Sequence, residues 1–182
     1  MKKLIVRTEN GLIEGLHGGG FKGGYPSEIE FDWEHMARRG MVVVDIQYRL
    51  GILGFLAGSV LSNVYSWEGK GNYGIEDQIA ALMWTKRNIR AFGCDTDRIT
   101  IAVQSEGAMS VQCLMTSPKT ERMISGTIVE SSIESDSKNM PVFANRMEDS
   151  EAIGNMFMEK AGYKSLEQLQ AAELTRVIGR NN

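Results

Sequence analysis

The sequence predicts an α/β fold in which a mostly parallel β-sheet is flanked by helices. Short, continuous β-branched runs, which are typical of buried parallel strands, alternate with longer segments whose apolar residues recur every three or four positions. Glycines stand at several of the boundaries between these segments, where helices end and chains turn. At 182 residues, 42% hydrophobic and 24% charged, the chain has the composition of an ordinary globular domain.

The first predicted helix and strand are neighbours in the sequence. The helix covers residues 27–39 and stops at Gly40, and the run from Met41 to Ile46 then forms a buried strand. A second helix is predicted from Gly74 to Gly93, because one of its faces is apolar. The residues of that face are Ile75, Ile79, Leu82, Met83, Ile89 and Phe92.

The remaining elements follow the same alternation. Residues 98–103 are predicted as a second strand, residues 107–115 as a helix after a very tight turn, and residues 125–130 as a third strand. From Pro141 onward the pattern predicts one or two amphipathic helices. Residues 131–139 are expected to form an exposed connection.

Composition and local patterns argue against several function classes. A net charge of −3 without a basic block argues against nucleic-acid binding. The apolar run near the N-terminus is too short for a signal peptide, and no apolar stretch approaches the ~20 residues of a membrane span. Cys94 and Cys113 lack zinc-site spacing, so we expect two free thiols, a cytoplasmic location, and neither a metal nor a cofactor.

Ser105 is the candidate nucleophile. It stands between a predicted strand and a predicted helix, where a sharp turn would present its hydroxyl above the sheet and beside a helix N-terminus. The pattern departs from GxSxG, because Val103 replaces the first glycine and crowds the turn. On these residues alone, an ordinary serine in a strand–helix loop explains the pattern equally well.

A glycine run, His17-Gly-Gly-Gly-Phe21, is the second candidate feature. Consecutive glycines allow backbone N–H groups to converge on a small anionic centre, as an oxyanion hole requires. Taken alone, the run favours a flexible turn, particularly since Gly23 and Gly24 follow it. His17 is expected to fix this loop by hydrogen bonding and His35 to lie on a helix surface, so neither is a convincing general base.

The order and spacing of several blocks resemble the type-B carboxylesterase/cholinesterase family over nearly the whole chain. Beyond the glycine run and Ser105, these blocks are Tyr48-Arg-Leu-Gly51, Gly54-Phe-Leu56, Gly71-Asn-Tyr-Gly74, Asp77-Gln78, Asn88-Ile89, Ala91-Phe-Gly93, Asp97-Arg-Ile-Thr100, Gly107 and Ser117-Pro118. The resemblance implies one incomplete α/β-hydrolase domain over residues 1–182. Residues 1–130 would hold the sheet and the nucleophile, and residues 141–182 would form a helical segment.

The resemblance also implies an activity and a site. A small-molecule carboxylic ester would acylate Ser105, and the backbone N–H groups of Gly19, Gly20 and Glu106 would form the oxyanion hole. Glu106 stands where the family usually has alanine. An ionised carboxylate about 4 Å from the oxyanion would oppose it by ~4 kcal/mol at intermediate dielectric.

Parts of the family pattern are missing from this sequence. No histidine follows Ser105, so the catalytic acid and base of the family are not found in this chain. Residues 8–15 resemble the family's opening block and run directly into the glycine run, which predicts an internal deletion as well as a C-terminal truncation. We therefore expect little or no turnover by this chain alone.

Two other interpretations remain open. The same fold can serve as a non-catalytic binding module, and the departures at Val103 and Glu106 favour that alternative. The chain can also be a fragment that folds only with a complementary chain, because missing strands would leave sheet edges exposed to self-association.

Overall fold

A computed structural model describes residues 12–25, 33–64, 70–105, 107–131, 146–173 and 177. The chain divides into two compact units. The first comprises Met1–Tyr48 and Ile75–Glu134, and the second comprises Arg49–Gly74 and Ser135–Asn182. The sheet and the candidate reactive residues belong to the first unit.

The sheet of the first unit contains four described strands, all parallel. They are β1 (Leu12–Leu16), β2 (Val42–Ile46), β3 (Ile99–Gln104) and β4 (Gly126–Glu130). Their spatial order is β2-β1-β3-β4, so β1 and β3 are the inner strands. The prediction of a parallel sheet flanked by helices is therefore confirmed.

Helices connect these strands and form the second unit. They are α1 (Glu34–Arg38), α2 (Gly51–Phe55), α3 (Ser59–Val64), α4 (Tyr73–Asn88), α5 (Gly107–Thr116), α6 (Met147–Ala161) and α7 (Leu166–Gln170). A short 3-10 turn, Ile89–Phe92, extends α4 and ends at Gly93, which has the left-handed φ of +84° expected of a helix C-cap. A second 3-10 turn, Pro118–Thr120, follows α5.

Helices pack against the inner part of the sheet, where β1 and β3 are almost entirely buried. On one face, Trp33, Met36 and Met41 pack against the cluster of Ile13, Val43 and Ala102. One face of α4 and of its 3-10 extension is fully buried, and this face consists of Gln78, Leu82 and Thr85 on α4 and Ile89 on the extension. The Gln78 side-chain amide donates a 3.0 Å hydrogen bond to the Ser110 hydroxyl, which ties α4 to α5.

Most elements that the sequence predicts are present, with boundaries shifted by one or two residues. The predicted strands correspond to β2, β3 and β4, the helix that ends at Gly93 corresponds to α4 with its 3-10 extension, and the helix at Gly107 is α5. Of the helix predicted over residues 27–39, the described part contains α1, while residues 26–32 lie outside the described residues. Strand β1 and helices α2 and α3 were not predicted.

The second unit has a small apolar core of its own. Leu56, Leu61 and Leu166 are buried there, and Ile52, Val60, Phe157 and Leu169 pack against them. The Asn155 carboxamide oxygen accepts hydrogen bonds of 3.0 Å from both the N–H and the hydroxyl of Ser59. The amphipathic helices predicted after Pro141 are α6 and α7, which contribute to this core.

Candidate active site

Ser105 occupies a sharp corner between β3 and α5. Its φ is +58°, in the left-handed region that costs a non-glycine residue about 1–2 kcal/mol. Two hydrogen bonds of 3.0 Å hold the corner: the Ser105 N–H donates to the Glu130 carbonyl oxygen, and the Ser105 carbonyl oxygen accepts from the Ala108 N–H. A half-buried serine on such a strained strand-to-helix turn is the arrangement of a nucleophile elbow.

Gly107, the first residue of α5, passes very close to the two inner strands. A Cβ atom at this position would lie 3.1 Å from the Leu16 carbonyl oxygen and 3.1 Å from the Val103 Cβ. The crowding expected from Val103 is therefore present, and the missing side chain at Gly107 accommodates it.

The glycine run forms a closed loop of residues 17–24 at the end of β1. The Gly19 carbonyl oxygen accepts hydrogen bonds of 3.2 Å from the N–H groups of Lys22 and Gly23. Gly19 and Gly24 have φ values of +120° and +115°, and a Cβ atom on either would overlap a backbone carbonyl across the loop. These glycines are needed to build a compact turn, so the run is more than a flexible linker.

The loop and the serine corner leave the same edge of the sheet. Strands β1 and β3 are parallel neighbours, and Leu16 is in register with Val103. The His17 carbonyl oxygen lies 3.6 Å from the position that a Cβ atom of Gly107 would take. The start of α5 thus touches the beginning of the glycine loop, whereas Glu106 lies outside the described residues.

The two histidines have different surroundings. His17 is 2% exposed, its Nδ1 lies 2.9 Å from the Gly18 carbonyl oxygen, and its ring stacks on Tyr48 with 4.7 Å between centroids. His35 is exposed on α1. The prediction that His17 fixes the glycine loop agrees with these contacts, and His35 lies on a helix surface as the sequence suggested.

The sequence was compared with models of known protein families. A family model described as the carboxylesterase family matches residues 9–178. The chain belongs to the carboxylesterase family. This membership covers nearly the whole sequence and includes the glycine run, the serine corner and the helix that follows it.

Individual carboxylesterase relatives support the same conclusion. The chain is 37% identical over 163 residues to fumonisin B1 esterase from Sphingopyxis macrogoltabida, a match that covers 89% of this chain and 28% of that protein. It is 40% identical over 117 residues to para-nitrobenzyl esterase from Bacillus subtilis, covering 64% of this chain and 23% of that protein. The chain therefore spans about a quarter of the length of these relatives.

Solved structures of carboxylesterases share the fold. A carboxylesterase from Geobacillus stearothermophilus superposes with a TM-score of 0.80 at 31% identity. That match covers 96% of this chain and 35% of the solved chain. The α/β-hydrolase fold implied by the sequence resemblance is therefore confirmed.

Glu14 is an unusual residue of the site region that the sequence did not reveal. It lies in the inner strand β1, is 1% exposed, and neither carboxyl oxygen has a hydrogen-bonding partner among the described residues. Burial raises the pKa of Glu14 to about 8, because an apolar interior disfavours the charged form. The signal was present as a carboxylate in an otherwise apolar run, but it could be interpreted only once that run was known to be a buried strand.

The two cysteines differ in their exposure. Cys94 is buried and Cys113 exposed, and both are free, as predicted. Burial raises the pKa of the Cys94 thiol.

Within the described ranges, no three His, Cys, Asp or Glu side chains come together as metal ligands. Among the helices of the same described ranges, none combines the length and the apolar composition that a bilayer span demands.

Proposed function

We propose that this protein hydrolyses carboxylic esters by transferring the acyl group to Ser105 and then to water. The observation that carries the proposal is the left-handed corner at Ser105, placed beside the glycine loop on the neighbouring inner strand. Family membership favours this chemistry, and the named relatives are esterases. The substrate class is a small-molecule carboxylic ester.

The backbone N–H groups of Gly19, Gly20 and Glu106 are the proposed oxyanion hole. Gly19 and Gly20 belong to the loop that begins beside Gly107, and Glu106 directly precedes that glycine at the start of α5. Donors fixed in place before the reaction stabilise the charge that develops on the substrate oxygen. We expect Glu106→Ala to accelerate acylation, because it removes a negative charge from the residue whose N–H would bind the oxyanion.

The general base must come from elsewhere in the esterase. The basic nitrogen of His17, Nε2, is buried and accepts no hydrogen bond from Ser105 or any other described residue, and His35 lies exposed on α1, so neither is placed to take a proton from Ser105. We propose that a region beyond this sequence supplies the histidine and its acidic partner. The chain alone then acylates slowly, using only the residual effect of the oxyanion hole.

A serine-directed fluorophosphonate probe tests this proposal. We expect slow labelling of the chain and at least hundredfold faster labelling of a longer protein that includes the rest of the reading frame. Ser105→Ala should abolish labelling in both. Ser131→Ala is the matched control, because Ser131 also has a left-handed φ, +55°, at the end of β4 and should not affect labelling. Labelling that survives Ser105→Ala, or that never occurs in the longer protein, would refute the esterase proposal.

We also propose that the chain self-associates through β4 when it is alone. This strand lies at the edge of the described sheet, and Ile128 and Val129 are each 42% exposed. Unpaired edge strands with apolar side chains tend to pair with other chains. Sedimentation at several concentrations should show association that Ile128→Lys with Val129→Lys reduces, while Met115→Lys, at an exposed apolar site on α5, should not reduce it.

A cytoplasmic location is the last part of the proposal. It is supported by two free cysteines, one of them exposed, which are typical of a reducing compartment. Cell fractionation with thiol-reactive labelling of Cys113 tests it. Recovery of the protein outside the cytoplasm, or Cys113 found oxidised, would contradict it.

A further inference from the structure

The orientation of two backbone N–H groups depends on the carbonyl groups that share their peptide planes. A trans peptide is planar, and its C=O and N–H point in opposite directions. The Gly19 N–H is therefore fixed when the Gly18 carbonyl is fixed, and the Gly20 N–H is fixed when the Gly19 carbonyl is fixed. These are the two N–H groups that the proposed oxyanion hole takes from the glycine loop.

Both carbonyls are held by hydrogen bonds. The Gly19 oxygen accepts from two N–H groups of the same loop, those of Lys22 and Gly23. The Gly18 oxygen lies 2.9 Å from His17 Nδ1. Because a carbonyl oxygen can only accept, Nδ1 must carry the hydrogen, which assigns the Nδ1–H tautomer to His17.

His17 is itself held by Tyr48 at two points. The rings stack with an interplanar angle of 11°, and the Tyr48 hydroxyl donates a 3.1 Å hydrogen bond to the His17 carbonyl oxygen. Tyr48 is 5% exposed and stands two residues after β2, whose last residue, Ile46, is in register with Leu16. The tyrosine therefore extends from the sheet and supports the loop from a rigid neighbour.

We propose that Tyr48 is a positioning residue of the esterase, which holds His17 so that the Gly19 and Gly20 N–H groups point toward the acyl oxygen. The inference rests on the proposed function of Ser105 and assigns a further residue to it. Its physical basis is a chain of contacts from the Tyr48 hydroxyl and ring to His17, and from His17 Nδ1 to the Gly18 carbonyl.

The test uses variants that separate the two contacts of Tyr48. Tyr48→Phe removes the hydroxyl and keeps the ring, whereas Tyr48→Leu also removes the stacking. Tyr163→Phe is the matched control, because Tyr163 lies two residues after the end of α6 and is distant in sequence from the loop. All are made with His35→Gln, so that His17 gives the only histidine signal in the spectrum.

Two readouts report on the loop and one on the reaction. Nitrogen-15 NMR of His17 distinguishes the Nδ1–H tautomer from the Nε2–H tautomer, and amide exchange reports on residues 18–20. We expect Tyr48→Phe to speed glycine amide exchange about tenfold without changing exchange in α5, and Tyr48→Leu to mix the tautomers. Fluorophosphonate labelling of Ser105 should slow about tenfold in Tyr48→Phe and remain unchanged in Tyr163→Phe.

The outcomes separate this inference from the proposed function. The role of Tyr48 would be overturned if Tyr48→Phe had the same amide exchange rates, His17 tautomer and labelling rate as the wild type. It would also be overturned if the Tyr48→Phe chain no longer folded, since the hydroxyl would then stabilise the whole unit and not the loop in particular. A different result is possible in a longer protein. If Tyr48→Phe speeds exchange of the glycine amides there but Ser105 is never labelled, the role of Tyr48 in fixing the glycine loop is supported and only the esterase proposal is overturned.

Discussion

The backbone N–H of Ser105 donates a 3.0 Å hydrogen bond to the carbonyl oxygen of Glu130, the last residue of the edge strand β4. The corner that presents the serine is therefore fixed by a strand whose last four residues are exposed. Substitutions that disrupt the pairing of β4 with β3 should therefore also make the backbone at Ser105 more mobile, because the hydrogen bond to Glu130 continues that pairing.

The left-handed backbone at Ser105 predicts how two substitutions will rank. Glycine adopts a φ of +58° without a Cβ clash, whereas alanine retains the strain of serine. We expect Ser105→Gly to have a free energy of unfolding about 1 kcal/mol higher than that of Ser105→Ala. Urea unfolding measures the difference, and equal values for the two variants would show that the corner is unstrained.

Glu14 predicts a loss of stability as pH rises. Its pKa in the folded protein is raised to about 8 from the ordinary value of 4.5, so the folded state retains the proton over an interval where the unfolded state has released it. The contribution of Glu14 to stability is complete below pH 4.5 and is lost progressively up to pH 8. The total loss is on the order of 4–5 kcal/mol as an upper bound, at 1.36 kcal/mol per pKa unit.

Glu14→Gln is the control for this titration, because it keeps the side-chain shape and cannot ionise. We expect the variant to resemble the wild type near pH 4.5 and to be more stable than the wild type at pH 8. Urea unfolding at several pH values gives the two curves. Curves that stay parallel from pH 4.5 to pH 8 would contradict a buried, protonated Glu14.

The glycine loop predicts that neighbouring glycines differ in their tolerance of alanine. A Cβ atom on Gly19 would overlap the Gly23 carbonyl, and its φ of +120° is unfavourable for alanine, so Gly19→Ala should cost about 1–3 kcal/mol or more. Gly23 has open space around its Cβ position, so Gly23→Ala should be neutral or slightly stabilising. Thermal unfolding of both variants tests the ranking, and equal melting temperatures would argue against the closed loop.

The close approach of Gly107 to Val103 predicts a coupled pair of substitutions. Gly107→Ala places a Cβ atom 3.1 Å from the Val103 Cβ and 3.1 Å from the Leu16 carbonyl oxygen, and should cost about 1–3 kcal/mol. In a Val103→Gly background one of the two contacts is absent, so the same substitution should cost less. A double-mutant cycle by urea unfolding measures this coupling, and strict additivity would show that Val103 does not crowd the corner.

The sequence predicted the elements whose pattern is strong and local. The runs that became β2 and β3 are continuous and β-branched, and the stripe from Ile79 to Ile89 repeats at helical spacing. The run that became β1 contains Glu14 and Gly15, which interrupt the apolar pattern, so periodicity did not identify it as a strand. Helices α2 and α3 are five and six residues long, too short for a periodic signal.

The sequence indicated which residues form the candidate site, but not how they are arranged in space. The residue types and their order pointed to Ser105 and to the glycine run, and Val103 pointed to a crowded corner. The register of β1 with β3 and the φ of Ser105 arise from long-range pairing, which no local pattern encodes. The support that Tyr48 gives to His17 depends on the same pairing.

The parallel pairing of the sheet also constrains the order of events during synthesis. Leu12 pairs with Ile99 and Gln104 pairs with Glu130, so the two inner strands and the serine corner join parts of the chain that leave the ribosome far apart in time. Residues 12–16 can pair early with residues 42–46, but their other edge stays unpaired until residues 99–104 have emerged, and the corner gains its last support only after residue 130. A nascent chain stalled before residue 99 would leave one edge of β1 unpaired and open to proteases, and a chain that extends beyond residue 130 would not.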